Sequence, residues 1–199
     1  MIAVITGDVI NSRKSPSALW QDSLKGVLAE YGMNGPDWEL YRGDSFQLKI
    51  EVNEALLAAI HIKASVKRHS GLDVRMGIGI GSEDSKADRV TSATGQAYVL
   101  SGTCFDGLKK QTMAIATPHE FLNEILDVML SLALLTMDTW SDTVAAVICK
   151  VIEHPQKKQA TIATLMGKSQ SNISEALKRG GFEEVRKLEQ FYRKQISLV

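Results

Sequence analysis

The chain has 199 residues, 44% hydrophobic and 23% charged, with 23 basic and 23 acidic side chains. That composition belongs to folded globular proteins and places the chain outside the disordered, fibrous and membrane classes. The neutral total hides an asymmetry: residues 156–199 carry 9 Lys/Arg and 4 Asp/Glu, against 14 and 19 in the remainder. A basic tail on an acidic body is the distribution expected of a module that neutralises phosphates locally.

Cys104 and Cys149 lie far apart with no C-x-x-C spacing. His61, His69, His119 and His154 neither pair closely nor neighbour a cysteine, and no charged-then-apolar segment opens the chain. These features predict a reducing, cytoplasmic setting and no zinc motif. The apolar stretch 121–137 is interrupted by Asn123, Glu124 and Asp127, which leaves 128–136, too short for a bilayer and better read as a buried helix.

In chain order, Ile2 to Ile5 reads as a buried strand that delivers the polar turn Thr6-Gly7-Asp8. Ser15-Pro16-Ser17 starts a helix, with Leu19, Trp20, Leu24, Val27, Leu28 and Tyr31 at helical spacing until Gly32. Trp38 to Tyr41 and Phe46 to Val52 alternate around Arg42-Gly43-Asp44-Ser45, a hairpin. Asn53 is placed to cap a second helix running to about Ser70. The run V-R-M-G-I-G-I-G, Val74 to Gly81, is a strand with glycine along one face, suited to close approach by a backbone or a ligand. Glu83 to Thr94 reads as a mobile polar loop, Ala97 to Leu108 as a third helix and Met113 to Ala116 as a last strand.

The order βαββαβαβ, with helices crossing one face of the sheet, predicts an α+β fold of the ferredoxin-like or palm type over residues 1–118. Beyond it the pattern is helical only. Phe121 to Leu135 and Trp140 to Ile152 form a connector over 119–155, ahead of a helical unit at 156–199.

That last unit contains I-A-T-L-M-G-K-S-Q-S-N-I-S-E-A-L from Ile162 to Leu177, a match to the helix-turn-helix template. Ala163 is small where two helices cross, Gly167 suits a left-handed turn and Ser169 caps the second helix. Ile162, Met166, Ile173 and Ala176 should face the core. Ser169, Gln170, Ser171, Asn172, Ser174, Lys178 and Arg179 should face DNA, since Gln and Asn match adenine edges and Lys and Arg hold phosphate. Lys168, at a position usually apolar, and Glu175, near the expected phosphates, depart from the template, and a plain packing bundle is the bland alternative. Phe182, Val185, Leu188, Phe191 and Tyr192 make a final apolar stripe, either core or the contact of a homodimer.

Asp8 ends the first strand and Asp44 sits in the hairpin turn, so a palm-type sheet would bring two carboxylates to one edge. Such a pair can hold Mg2+ or Mn2+ against a nucleotide's phosphates. The backbone amides of Val9, Ile10, Asn11 and Ser12 are placed to cradle phosphate, with Arg42 nearby. Taken singly, Asp8 is a turn cap and Asp44 an ordinary Gly-Asp turn residue. Trp20 and Trp38 read as core.

I-T-G-D at Asp8, Y-R-G-D-S-F around Asp44 and V-R-M-G-I-G-I-G at Val74 together resemble the palm of class III nucleotide cyclases and diguanylate cyclases over about the first 115 residues. The chain as a whole, tail included, resembles the SatD-like family of bacterial proteins, which implies this two-part layout and no particular activity. The cyclase resemblance implies an Asn and an Arg after the glycine-rich strand, and G-Q-A-Y-V-L-S-G from Gly95 to Gly102 has neither. The expectation is therefore a DNA-binding regulator whose first domain binds a nucleotide-like ligand without turning it over. An active metal-dependent cyclase or nucleotidyl transferase is the alternative, and a protein-interaction adaptor a third reading.

Overall fold

The computed structural model describes residues 1–14 and 16–198; Ser15, expected at the start of the first helix, lies outside them. Strand β1 (Ile2–Ile10) is followed by α1 (Ser17–Tyr31), β2 (Trp38–Tyr41), β3 (Ser45–Ile50), α2 (Ala55–Lys67), β4 (Asp73–Gly81), α3 (Gln96–Gly107) and β5 (Met113–Ala116). The rest is helical: α4 (Glu120–Met137), α5 (Asp142–Glu153), α6 (Gln159–Leu165), α7 (Gln170–Arg179) and α8 (Phe182–Ile196). The fold is α+β. Its five strands form one mixed sheet in the order β2-β3-β1-β4-β5, with β1 antiparallel to both neighbours and β5 parallel to β4.

The pleat sorts β1 into two faces. Ala3, Ile5 and Val9, level with Ile50 and Leu48 on one side and Ile80, Ile78 and Val74 on the other, form a core face covered by α1 and α2. Val4, Thr6 and Asp8 point to the opposite face, where Gly79, Gly77 and Arg75 are their partners on β4. Helix α3 lies there, so the helices cover both faces of the sheet rather than the one expected from sequence. The glycines are the reason. A Cβ on Gly77 or Gly79 would run into the α3 backbone at Ser101 and Phe105 or at Ala97 and Ser101, and Thr6 Oγ1 meets Ser101 Oγ at 3.0 Å across this interface. The close approach allowed by the glycine-rich face is made by a helix.

Two other local expectations change. Asn53 lies inside a 3₁₀ turn (Val52–Glu54) and caps nothing; α2 starts from Glu54 without a side-chain cap. The segment 83–94 is pinned rather than loose: Val90 is fully buried, its N–H donates to Gly35 O at 2.7 Å, and Arg89 Nε donates to Glu39 Oε1 at 2.7 Å. Leu19, counted in the stripe of α1, faces solvent, whereas Trp20 and Trp38 are core.

The helical half docks on α2. Helix α5 packs on α2, and α6 and α7 in turn pack on α5. The expected α8 stripe is mostly core: Phe182, Val185, Leu188 and Tyr192 are buried and Phe191 is half-buried, and Tyr192 donates its hydroxyl to Val52 O at 2.6 Å. Charge reinforces the junction. Lys63, fully buried on α2, contacts Asp73 at 2.8 Å and Asp138 at 2.7 Å, and Lys67 contacts Asp73 at 2.9 Å. A buried ammonium is tolerable only when paired in this way.

No described helix is long and apolar enough to cross a membrane. Helix α4, read from sequence as buried, buries one face only. Leu122, Leu126, Leu130 and Leu134 are inside, whereas Phe121 (75% exposed), Val128, Leu132 and Leu135 (72%) form an apolar stripe on the surface.

Candidate functional site

β1 and the β2–β3 hairpin end together. Asp8 is level with Ser45 on β3 and with Arg75 on β4, and Val9 N donates to Asp44 O at 3.0 Å, so strand pairing alone carries both acidic residues to one edge of the sheet. Beyond Ile10 the chain turns sharply: Asn11 takes φ 62° and donates its side-chain amide to Gly71 O at 3.1 Å, after which Ser12–Lys14 make one 3₁₀ turn. Asn11 and Arg42 (φ 53°) are the two non-glycine residues with positive φ among those described. Both border the same cleft. Such conformations carry a cost and persist where surrounding structure enforces them, commonly at binding sites.

The cleft has two adjoining depressions. One, of about 600 Å³, is lined by Asp8, Val9, Ile10, Asn11, Ser12, Arg13, Lys14, Asp44 and Arg75. The other, of about 580 Å³, shares Ser12, Arg13 and Asp44 with it and adds Ser17, Trp20, Gln21, Arg42 and Gly43. All seven residues expected to hold a metal or phosphate therefore line one continuous opening. Arg13, Lys14, Arg42 and Arg75 outnumber its two carboxylates, a balance suited to an anion. Trp20, whose indole N–H is buried with no acceptor, is among the residues lining this opening.

The amide expectation is corrected in part. Val9 N is spent on Asp44 O, and Val9 and Ile10 belong to β1, so an uninterrupted amide cradle from 9 to 12 does not form. The carboxylates are not an open pair either. Arg75 takes both oxygens of Asp8, Nε to Oδ1 at 3.1 Å and Nη2 to Oδ2 at 2.6 Å, and Ser12 Oγ donates to Asp44 Oδ2 at 2.6 Å. This donor set does not fit two divalent ions; an ion reaching Asp8 has to displace a guanidinium. Arg75 is the residue that sequence reading missed. Its signal was present in the motif V-R-M-G, but its role depends on strand register.

The second region is α7. Ser169 Oγ accepts from Asn172 N at 3.2 Å and caps the helix, and Gly167 takes φ 61° in the turn before it. Ile162, Ala163, Ile173 and Ala176 are buried and Met166 is half-buried. Ser169, Gln170, Ser171, Asn172, Ser174, Lys178 and Arg179 are all exposed, as are Lys168 and Glu175. A capped helix thus presents a wide polar and basic surface while its apolar side rests on α5 and α6. The chain is similar to no protein-family model and, at a significant level, to no curated protein.

Proposed function

We propose that this chain is a cytoplasmic DNA-binding regulator, with a nucleotide- or phosphate-responsive first domain of the ferredoxin-like, palm type and a helix-turn-helix formed by α6 and α7. The observation that carries this reading is the outward face of α7. Its candidate base-reading residues Gln170 and Asn172 and its candidate phosphate contacts Lys178 and Arg179 are exposed together on one capped helix, in the basic part of the chain. Two split β-α-β units, β1-α1-β2 and β3-α2-β4, interleave in one sheet, as a palm requires. The SatD-like layout is consistent with both halves. Unpaired thiols at Cys104 and Cys149 accord with a reducing compartment.

The test is fluorescence anisotropy with a pool of duplexes of randomised centre, followed by selection of the tightest binders. Binding should weaken steeply with salt, and Gln170→Ala with Lys178→Ala should abolish selectivity while leaving the fold intact. Binding that is absent, or indifferent to both substitutions, overturns the reading.

Dimerisation is placed on α4 rather than α8. Phe121, Ile125, Val128, Leu132 and Leu135 alternate in steps of four and three, the spacing of a two-helix seam. Glu120, Glu124 and Asp127 flank one side of this stripe; the other side is a groove of about 430 Å³ shared with α8 and edged by both Glu184 and Lys187, the latter paired with Glu183 at 3.3 Å. The proposed occupant is a second copy, seated stripe against stripe. Leu132→Glu should convert a dimer to a monomer in light scattering, and a wild-type monomer at tens of micromolar overturns this assignment.

The enzyme reading keeps one specific support, the meeting of Asp8 and Asp44 at one sheet edge. Incubation with ATP or GTP and Mn2+ tests it, and product that survives Asp44→Asn counts against it.

A further inference from the structure

We infer that His61, Cys149 and Glu153 form a binding site for one borderline-soft divalent ion, with Zn2+ as its natural occupant. His61 lies on α2, and Cys149 and Glu153 follow one another by one turn on α5. One ligand atom from each lies within 4.8 Å of the other two. His61 and Cys149 lie on helices far apart in the sequence, which is why no zinc motif is legible there.

Three features point to a ligand rather than to ordinary packing. The first is an orphan. His61 is fully buried, its Nδ1 is engaged by Tyr31 Oη at 3.1 Å, and its Nε2 has no hydrogen-bond partner. A buried, unpaired ring nitrogen costs free energy, whereas a metal-binding histidine normally has its other nitrogen held by an oriented neighbour, as Tyr31 holds this one. The second is spacing. The Cys149 thiol donates to Glu153 Oε1 at 3.4 Å, so an ion that replaces this proton finds two ligand atoms already near the roughly 3.5 Å spacing of a tetrahedral zinc. The third is charge. A thiolate and a carboxylate supply two negative charges to a dication, with Lys150 on Glu153 Oε2 and Arg68 beside the thiol, and Oε1 is left facing the thiol.

Coordination uses the lone pair of His61 Nε2 and requires Cys149 to give up its thiol proton. Binding forms a metal–sulfur bond and releases that proton to solvent. Arg68, with Nη1 4.0 Å from Sγ, supports the developing thiolate. Three protein ligands leave the fourth position of a tetrahedral ion without a ligand from the described residues. An ion here ties the helix beneath the sheet to α5, the helix on which α7 rests.

The test uses the full chain, freed of metal, titrated with Co2+ and then Zn2+. The expected result is one Co2+ per chain with a thiolate-to-cobalt charge-transfer band and tetrahedral visible bands, displaced by Zn2+. Cys149→Ser should remove the band, and His61→Gln should weaken binding by about 100-fold or more, while Cys104→Ser changes neither. Should those two variants misfold, Zn2+ must still slow labelling of Cys149 by thiol reagents in Cys104→Ser protein held at a urea concentration that opens the buried thiol. No charge-transfer band, a band that survives Cys149→Ser, or thiol reactivity unaffected by Zn2+ overturns the site.

Discussion

Arg75 grips Asp8 across neighbouring strands through both oxygens of its carboxylate, and the same guanidinium lies 5.4 Å from the centre of the Phe105 ring on α3. The pair is a latch at the mouth of the cleft. Both groups are partly exposed, so its worth to folding is at most about 1 kcal/mol. Arg75→Gln should therefore barely alter stability, yet Mn2+ affinity measured by electron paramagnetic resonance should rise by about tenfold once the competing cation is gone. Unchanged Mn2+ binding would rule Asp8 out as an ion ligand.

Arg42 combines a strained backbone with a charge in the cleft. Arg42→Gly should leave stability unchanged or raise it by up to about 1 kcal/mol, because glycine takes positive φ without cost. The same change should weaken ATP or GTP binding, read by calorimetry, by about tenfold to a hundredfold, the worth of a charge-assisted hydrogen bond. Equal losses of stability and affinity would mean that the residue is only structural.

Two glycines near α3 should respond in opposite directions to alanine. Gly79→Ala drives a methyl into the backbone at Ala97 and Ser101 and should cost about 3 kcal/mol or more in urea unfolding. Gly102, within α3, has open space around its would-be Cβ, and Gly102→Ala should stabilise by about 0.5–1 kcal/mol.

Ser169→Ala removes the cap of α7 and should cost about 1 kcal/mol. Lys178→Ala should cost almost nothing in stability, while lowering the slope of log affinity against log salt by about 1. A Lys178→Ala protein with the wild-type salt slope would place DNA elsewhere.

His61 also sets a pH dependence for the metal-free protein. Its folded pKa, lowered chiefly by burial and further by Arg68, and raised in part by Glu153, is about 4 against an ordinary 6.5. The unfolded chain thus binds the proton first, and stability falls with pH between about 6.5 and 4, by up to about 3 kcal/mol. Above that window the contribution is fully present. Thermal unfolding from pH 7 to pH 4 should show this decline, and His61→Gln should flatten it; Tyr31, Cys149 and Glu153 are the other titratable groups nearby.

Most elements were readable from local pattern. The β1, α1 and hairpin assignments follow from periodicity and turn residues, and the α7 cap from a serine ahead of a helical run. What was misread depends on partners distant in sequence. The looseness of 83–94 was inferred from polarity, but Glu39, remote in sequence, ties it down through Arg89 and Thr91. The α8 stripe reads as core by default, with a dimer contact as the alternative, and Val52, α2 and α4 around it make it core.

By itself the sequence determined the order of strands and helices, the basic tail and the polar face of α7, because each depends on residues within a turn or two of one another. Only the tertiary structure decided that α3 fills the glycine face, that Arg75 occupies Asp8, and that His61 meets Cys149 and Glu153. Those contacts are made across strands and between helices far apart in the chain. Register and packing set them, and neither is written in any local spacing.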